Sequence, residues 1–255
     1  MIDQSHSQNR AARPRAGYFL AVFLLVLLAL VSPLRADNPP TYWSGIEPAG
    51  LDFHFVALDR SNNVYVTDGY NTYSVEKFDS NGNYLSQLGS YGTNNGEFYN
   101  PVGIAVDGSN NVYVTDSGNG NNRVEKFDSH GNYLTQWGSF GTNNGQFSYP
   151  NGIAVDSSNN VYVADEGNNR IEKFDSHGNY LTQWGRFGTN NGQFEYPIGI
   201  GVDSSNNVYV TDYNNNRVQK FDRNGNYLTQ WGSLGSGNGQ FSEPEGIAVD
   251  SSTVK

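Results

Sequence analysis

An aspartate that closes a V-Y-V-x-D run and is followed five to seven residues on by an arginine occurs three times in this chain: Asp116 with Arg123, Asp165 with Arg170, and Asp212 with Arg217. Such a pair can orient a charged ligand, or it can clamp a loop through a charge-assisted hydrogen bond. Unchanged recurrence favours the clamp. A second candidate is Asp79-Ser80-Asn81-Gly82-Asn83, with copies beginning at Asp128, Asp175 and Asp222, which has the look of the start of a calcium loop. An EF-hand loop needs a bidentate glutamate at its twelfth position, and there the chain has Ser90 and Ser139. The asparagines and glycines mark these segments as hairpin turns instead. Beyond residue 36 the histidines are His54, His130 and His177, the last two in equivalent turns. They come with no His/Glu trio at metal-ligand spacing and no nucleophile–base pair. The sequence therefore assigns no catalytic residue, no metal and no cofactor.

The elements that must position these residues are written in repeats. The aspartate closing each A-V-D-like unit falls at Asp59, Asp107, Asp156, Asp203 and Asp250, with spacings of 48, 49, 47 and 47 residues. A fixed period of this size means stacked supersecondary units, none able to bury its apolar face alone. Each unit divides into four short strands. In the third copy these are Gly152-Ile153-Ala154-Val155, Asn160-Val161-Tyr162-Val163, Arg170-Ile171-Glu172-Lys173-Phe174 and Asn179-Tyr180-Leu181-Thr182-Gln183-Trp184. They are rich in Val, Ile, Tyr, Phe and Trp and bounded by turn residues. Four-stranded units of this length around an axis are the blades of an all-β propeller. The long links between blades and the loops between second and third strands then share one rim, and the tight hairpins form the other.

Where the copies differ is as informative as where they agree, because packing explains sameness. The residues flanking the link proline read Asn100/Val102, Tyr149/Asn151, Tyr196/Ile198 and Glu243/Glu245; the loops between second and third strands include Glu166 and Tyr213. Tyr and Asn combine rigid stacking surface with adaptable hydrogen bonding, a composition suited to recognition. The predicted binding residues are Asn100, Val102, Tyr149, Asn151, Glu166, Tyr196, Ile198, Tyr213 and Glu243.

Arg10, Arg13 and Arg15 precede an apolar run from Ala16 to Val31, followed by Ser32-Pro33-Leu34-Arg35-Ala36. This describes a secretory signal, shorter than a comfortable membrane span. Residues 1–36 are read as that signal, with an uncleaved anchor as the alternative. Removing them leaves 11 basic against 24 acidic side chains. So acidic a surface repels phosphate backbones and anionic headgroups, which excludes nucleic acid as the expected partner. No cysteine is present, so there is neither a disulfide framework nor a lipid-modified cysteine.

The pattern P-x-G-I-A-V-D, N-x-V-Y-V-T-D, N-N-R-V/I-x-K-F-D and G-x-Y-L resembles the NHL repeat over about residues 51–255. The resemblance implies propellers of six blades, in a family whose members include sensor domains, protein- or RNA-binding modules and related lyases. It implies a fold and a binding rim rather than one activity. Departures occur in the first copy: Phe55 stands in the place of Gly103, Gly152, Gly199 and Gly246, Ser74 in that of Arg123, and Leu88 in that of Trp137. Six blades at this period need about 282 residues, so the copies at about 51–98, 99–147, 148–194 and 195–241, with a partial one at 242–255, supply four blades and one further strand. The arc is expected to belong to a larger ring, to close with four blades, or to pair with a second chain through open blade edges. With 1–36 as signal, 37–50 as linker and 51–255 as propeller, the expectation is a secreted or periplasmic module that binds a protein, peptide or glycan on its loop-bearing rim. A lyase or hydrolase with a metal site is the competing class.

Overall fold

Runs such as V-Y-V-T-D and R-V-E-K-F favour strands through their β-branched and aromatic side chains, and carboxylate-latched turns bring them back on themselves. The computed structural model describes residues 53–118 and 120–250, all in the second of two units into which the chain divides, Ser44–Lys255. The signal at 1–36 and the linker at 37–50 lie outside the described residues. Among the described residues, sixteen strands form four sheets of four. Blade one comprises β1 (Phe53–Leu58), β2 (Val64–Asp68), β3 (Ser74–Phe78) and β4 (Tyr84–Leu88). Blade two comprises β5 (Pro101–Val106), β6 (Val112–Asp116), β7 (Arg123–Phe127) and β8 (Tyr133–Trp137). Blade three has β9 (Pro150–Val155), β10 (Val161–Asp165), β11 (Arg170–Phe174) and β12 (Tyr180–Trp184), with a 3₁₀ turn at Glu166–Asn168. Blade four has β13 (Pro197–Val202), β14 (Val208–Asp212), β15 (Arg217–Phe221) and β16 (Tyr227–Trp231). Every blade is antiparallel and meanders in chain order.

The hairpin turns share one device. Asp59 Oδ1 accepts the Ser61 and Asn63 amides at 2.8 and 2.9 Å, and its Oδ2 accepts Asn63 Nδ2 at 2.7 Å. The same latch closes the turns that look like calcium loops, at Asp79, Asp128, Asp175 and Asp222. Both carboxylate oxygens are committed to the turn itself, which accounts for the D-x-x-G-N pattern without a cation.

The core lies between blades. One cluster joins Tyr65, Val75, Leu88 and Phe98 to Ile104, Val112 and Phe127 across blades one and two; two further clusters repeat it across blades two and three and across three and four. The third strand is covered on both sides, so its polar residues Glu125, Glu172 and Gln219 are as buried as Phe127, Phe174 and Phe221. The alternation along that strand separates two interblade faces, not core from solvent. Phe174 rests against Trp137 and Phe147 at ring separations of 5.8 and 5.6 Å, and Phe221 meets Trp184 and Phe194 at the same distances. Blade four presents the matching half of a fourth interface, a groove of about 800 Å³ lined by Tyr209, Val218, Trp231 and Phe241 under the segment 244–250. That segment, expected to add one strand, has no regular secondary structure. Ladder hydrogen bonds need a neighbour, and no further strand lies beside it among the described residues. Its position still follows the repeat: Glu245 O accepts Thr211 Oγ1 at 2.9 Å, as Asn151 O accepts Thr115 Oγ1 at 2.6 Å.

The inner strands approach one another too closely for a side chain. A Cβ on Gly152 would stand 2.3 Å from Ile198 O, and one on Gly103 would stand 2.2 Å from Asn151 O. In β1, Phe55 takes that place and packs against the first cluster. Gly152→Ala is expected to cost about 3 kcal/mol by forcing two backbones apart. Urea unfolding measures it, and a loss below about 1 kcal/mol would contradict the close approach.

Candidate functional site

The loop between second and third strands and the link between blades meet at one rim. Asn121, Asn168 and Asn215 each donate Nδ2 to a link carbonyl, that of Gly92, Gly141 and Gly188, at 3.1, 2.8 and 2.9 Å. The arginine at the start of the third strand completes the join. Arg170 Nη1 donates to Thr142 O at 2.7 Å, and its Nη2 donates to Asn143 O at 3.0 Å and Gln146 O at 2.7 Å. Arg123 and Arg217 grip their links through the same carbonyl positions. Each arginine is itself held from below. Arg170 Nε lies 2.8 Å from Asp165 Oδ2 and Arg217 Nε 2.7 Å from Asp212 Oδ2. The loop of blade two is two residues longer, and Arg123 Nε stands 3.6 Å from Asp116 Oδ2; in all three blades the loop asparagine, Asn121, Asn168 or Asn215, donates to that same oxygen, at 2.6, 2.7 and 3.0 Å. The other oxygen of each aspartate accepts link amides: Tyr99 and Asn100 for Asp116, Ser148 for Asp165, Glu195 for Asp212. Blade one lacks the arginine and closes the gap with hydroxyls, Thr72 on Asp68 and Ser74 on Glu76, with Thr72 and Ser74 also bonded to each other.

Beneath Arg123 and Arg170 lies a second acid. Glu125 and Glu172 ion-pair with the guanidinium and accept the amides of Gly96 and Gly145 at 2.7 and 2.9 Å. Burial pushes both carboxyls up to about 7, outweighing the pull of the neighbouring arginine. Burial also raises Asp116, Asp165 and Asp212, against the hydrogen bonds they accept. In blade four the position is Gln219, which accepts Gly192 N at 2.9 Å and donates to Gln193 O at 2.7 Å. Sequence reading did not single out this triad; the signal was a glutamate two residues after each arginine, replaced once by its amide.

The predicted binding residues fall into three groups. Tyr149 and Tyr196 stand on the rim, 58% and 43% exposed. Their amides are fixed by Asn122 Oδ1 and Asn169 Oδ1, both at 3.0 Å, in left-handed backbone with φ of 55° and 59°. Four others are brought together in pairs: Asn151 Nδ2 donates to Glu166 Oε2 at 3.0 Å, and Tyr213 OH donates to Glu243 Oε2 at 2.9 Å. Asn100 and Ile198 are half-buried, and Asn100 is held through its backbone by Asp116 and Ser117. Val102 is buried where β5 packs between the inner strands of blades one and three, and it offers a partner no surface. The rim also carries a row that the sequence reading passed over, Tyr91, Phe140, Phe187 and Leu234, one large apolar side chain per link. Among the described residues no group of three His, Cys, Asp or Glu side chains is placed to hold a metal ion.

The NHL repeat model matches residues 98–127, 147–174 and 194–221, in each case from the buried link phenylalanine to the last residue of the third strand. No curated protein matches the chain. Several solved structures do. A protein of unknown function from Bacteroides thetaiotaomicron is 19% identical with a TM-score of 0.61, the match covering 78% of this chain and 54% of that one. A virginiamycin B lyase from Staphylococcus aureus with quinupristin is 18% identical with a TM-score of 0.58, covering 82% and 61%. A gluconolactonase from Xanthomonas campestris is 15% identical with a TM-score of 0.52, covering 69% and 60%. The chain thus spans between about half and three fifths of the length of these structures, and at such identities the likeness is one of fold. Three of its segments are NHL repeats, and the antiparallel sheets they build are arranged as the blades of a β-propeller.

Proposed function

We propose that the chain is an exported binding module whose loop-bearing rim takes a protein, peptide or glycan partner. The observation that carries this reading is the backbone of Tyr149 and Tyr196. Left-handed φ costs a residue with a Cβ about 1 kcal/mol or more, and Gly or Asn would relieve it. Glu243 adopts the same φ of 53°, so the conformation is shared by three of the links whatever the side chain; a large exposed ring there serves neither the link nor the core. The loops beneath are held by buried arginines, so the rings are displayed on fixed backbone, which lowers the entropy lost on binding. Export rests on the charged and apolar pattern of residues 1–36. The acid balance of the remainder favours a neutral or cationic partner.

The test is a double replacement. Tyr149→Ala with Tyr196→Ala is expected to weaken capture of any partner recovered on the immobilised chain at least about tenfold, the loss typical of central aromatic contacts. Tyr84→Ala, on an exposed ring where β4 begins at the opposite end of the blade, should change nothing. Equal binding by the double variant would remove the rim from the site.

A further inference from the structure

We propose that the ligand of this rim is a neutral polysaccharide chain, laid across consecutive blades and stacked on Tyr91, Phe140 and Phe187. This rests on the rim reading above and narrows it to one chemical class. The three rings and Leu234 occupy equivalent places at the start of each link and are between 59% and 69% exposed. The repeat has an inward apolar residue only seven positions on, the buried Phe98, Phe147 and Phe194 and the half-buried Phe241, each joined to the exposed one by a single parallel bridge. The chain therefore folds each link so that one ring goes in and the other is held out.

The backbone beside these rings is closely packed. The glycine after each of them has φ between 148° and 156°, and a Cβ there would stand 1.9–2.3 Å from the side chain of Glu97, Gln146, Gln193 or Gln240. The far side of the link is gripped by the arginine clamp. An exposed aromatic held this firmly presents a flat apolar face at little further entropic cost.

The surroundings select the ligand. Each ring is followed by exposed, uncharged hydrogen-bonding residues: Thr93, Asn94 and Asn95 after Tyr91, and Thr142, Asn143 and Asn144 after Phe140. A protein interface of ordinary kind gathers its apolar residues into one contiguous centre. Here Phe140 and Phe187 stand one per blade among amides and hydroxyls, and Tyr91 gathers Tyr73 and Tyr99, at ring separations of 4.8 and 5.7 Å, into a wider aromatic face. A pyranose offers the complement, an apolar C–H face for the ring and hydroxyl edges for the amides. The arrangement repeats with the blade, so it suits a polymer that repeats as well, and several weak contacts joined along one chain give avidity that a single sugar cannot. Glu97, Glu166, Glu195 and Glu243 outnumber the one exposed link arginine among the described residues, Arg186 beside Phe187, and so disfavour a polyanion. Leu234 supplies no ring face, so blade four is the weak member of the row.

Electrophoresis of the chain in native gels cast with a soluble β-glucan, with a mannan, or with polygalacturonate tests this directly. The expected result is retardation by at least one of the two neutral polymers, none by polygalacturonate, and no competition by the free monosaccharide. Phe140→Ala with Phe187→Ala should lower the affinity at least about tenfold, and Leu234→Phe should raise it about threefold, as one more contact in a multivalent series. These side chains are exposed, so an unchanged urea midpoint shows that the variants fold. Free migration in both neutral polymers, equal retardation by polygalacturonate, or a double variant retarded like the parent overturns the proposal. A protein or peptide captured in a Tyr149- and Tyr196-dependent way, with no response to the neutral polymers, overturns it while leaving the rim reading intact.

Discussion

Arg170→Met is expected to destabilise the fold by about 3–5 kcal/mol at pH 8, the loss seen when one partner of a buried charge pair is removed. Two buried carboxylates, Asp165 and Glu172, would then face no cation, and the carbonyls of Thr142, Asn143 and Gln146 would lose their donor. Methionine preserves most of the side-chain volume, so a cavity is not the cause. The thermal midpoint should fall by roughly 10 °C for a unit of this size, at 2–4 °C per kcal/mol. Arg186, an exposed arginine in the adjoining link, provides the comparison: Arg186→Met should stay within about 0.5 kcal/mol of the parent. A loss below about 1 kcal/mol at Arg170 would mean that the carboxylates, not the arginine, hold the links in place.

The second large effect has the opposite sign. Glu125→Gln with Glu172→Gln is expected to stabilise the protein at pH 8 by about 3 kcal/mol per site, taking 1.36 kcal/mol for each unit between the ordinary 4.5 and about 7. Both carboxyls bind their proton more tightly in the folded chain than in the unfolded one. Their contribution is therefore fully present below pH 4.5 and is lost as the pH rises toward 7. The double variant should lack this decline, so its stability and that of the parent converge in acid and part above neutrality. Blade four already shows the amide in place: Gln219 keeps the contact to the link amide and donates to Gln193 O and, at 3.2 Å, to Asp212 Oδ2. Arg217, relieved of a second carboxylate, bonds Gln230 Oε1 at 2.8 Å. Urea unfolding across pH 4–9 measures the effect. A parent whose stability rises between pH 5 and 7 relative to the variant would refute the sign.

Much of the architecture was legible because the repeat states it several times over. The spacing of Asp59, Asp107, Asp156 and Asp203 locates the first hairpin of each blade, and Asn near its end favours left-handed backbone, found at Asn62, Asn110, Asn159 and Asn206. The site was less legible. A residue that differs between copies need not face outward: Val102 differs from Asn151, yet it is buried where β5 packs between its neighbouring inner strands. Conversely, Phe140 and Phe187 look like core because they are the same aromatic in adjacent copies; only the three-dimensional path of the link, with Phe147 and Phe194 taking the interior, reveals that they are left outside. Glu172 was hidden for a related reason. A strand sandwiched between two blades has no solvent face, so alternation of polar and apolar residues does not report exposure.

The near-identity of the joints between successive sheets bears on how the molecule assembles. Phe174 in its socket of Trp137 and Phe147 could trade places with Phe221 in the socket of Trp184 and Phe194 with almost no change in energy. Folding can begin at any of these junctions and spread to its neighbours. In a crowded refolding mixture, a wedge from another molecule fits the same socket as the next wedge along the chain, so exchange between molecules is the characteristic error of this design.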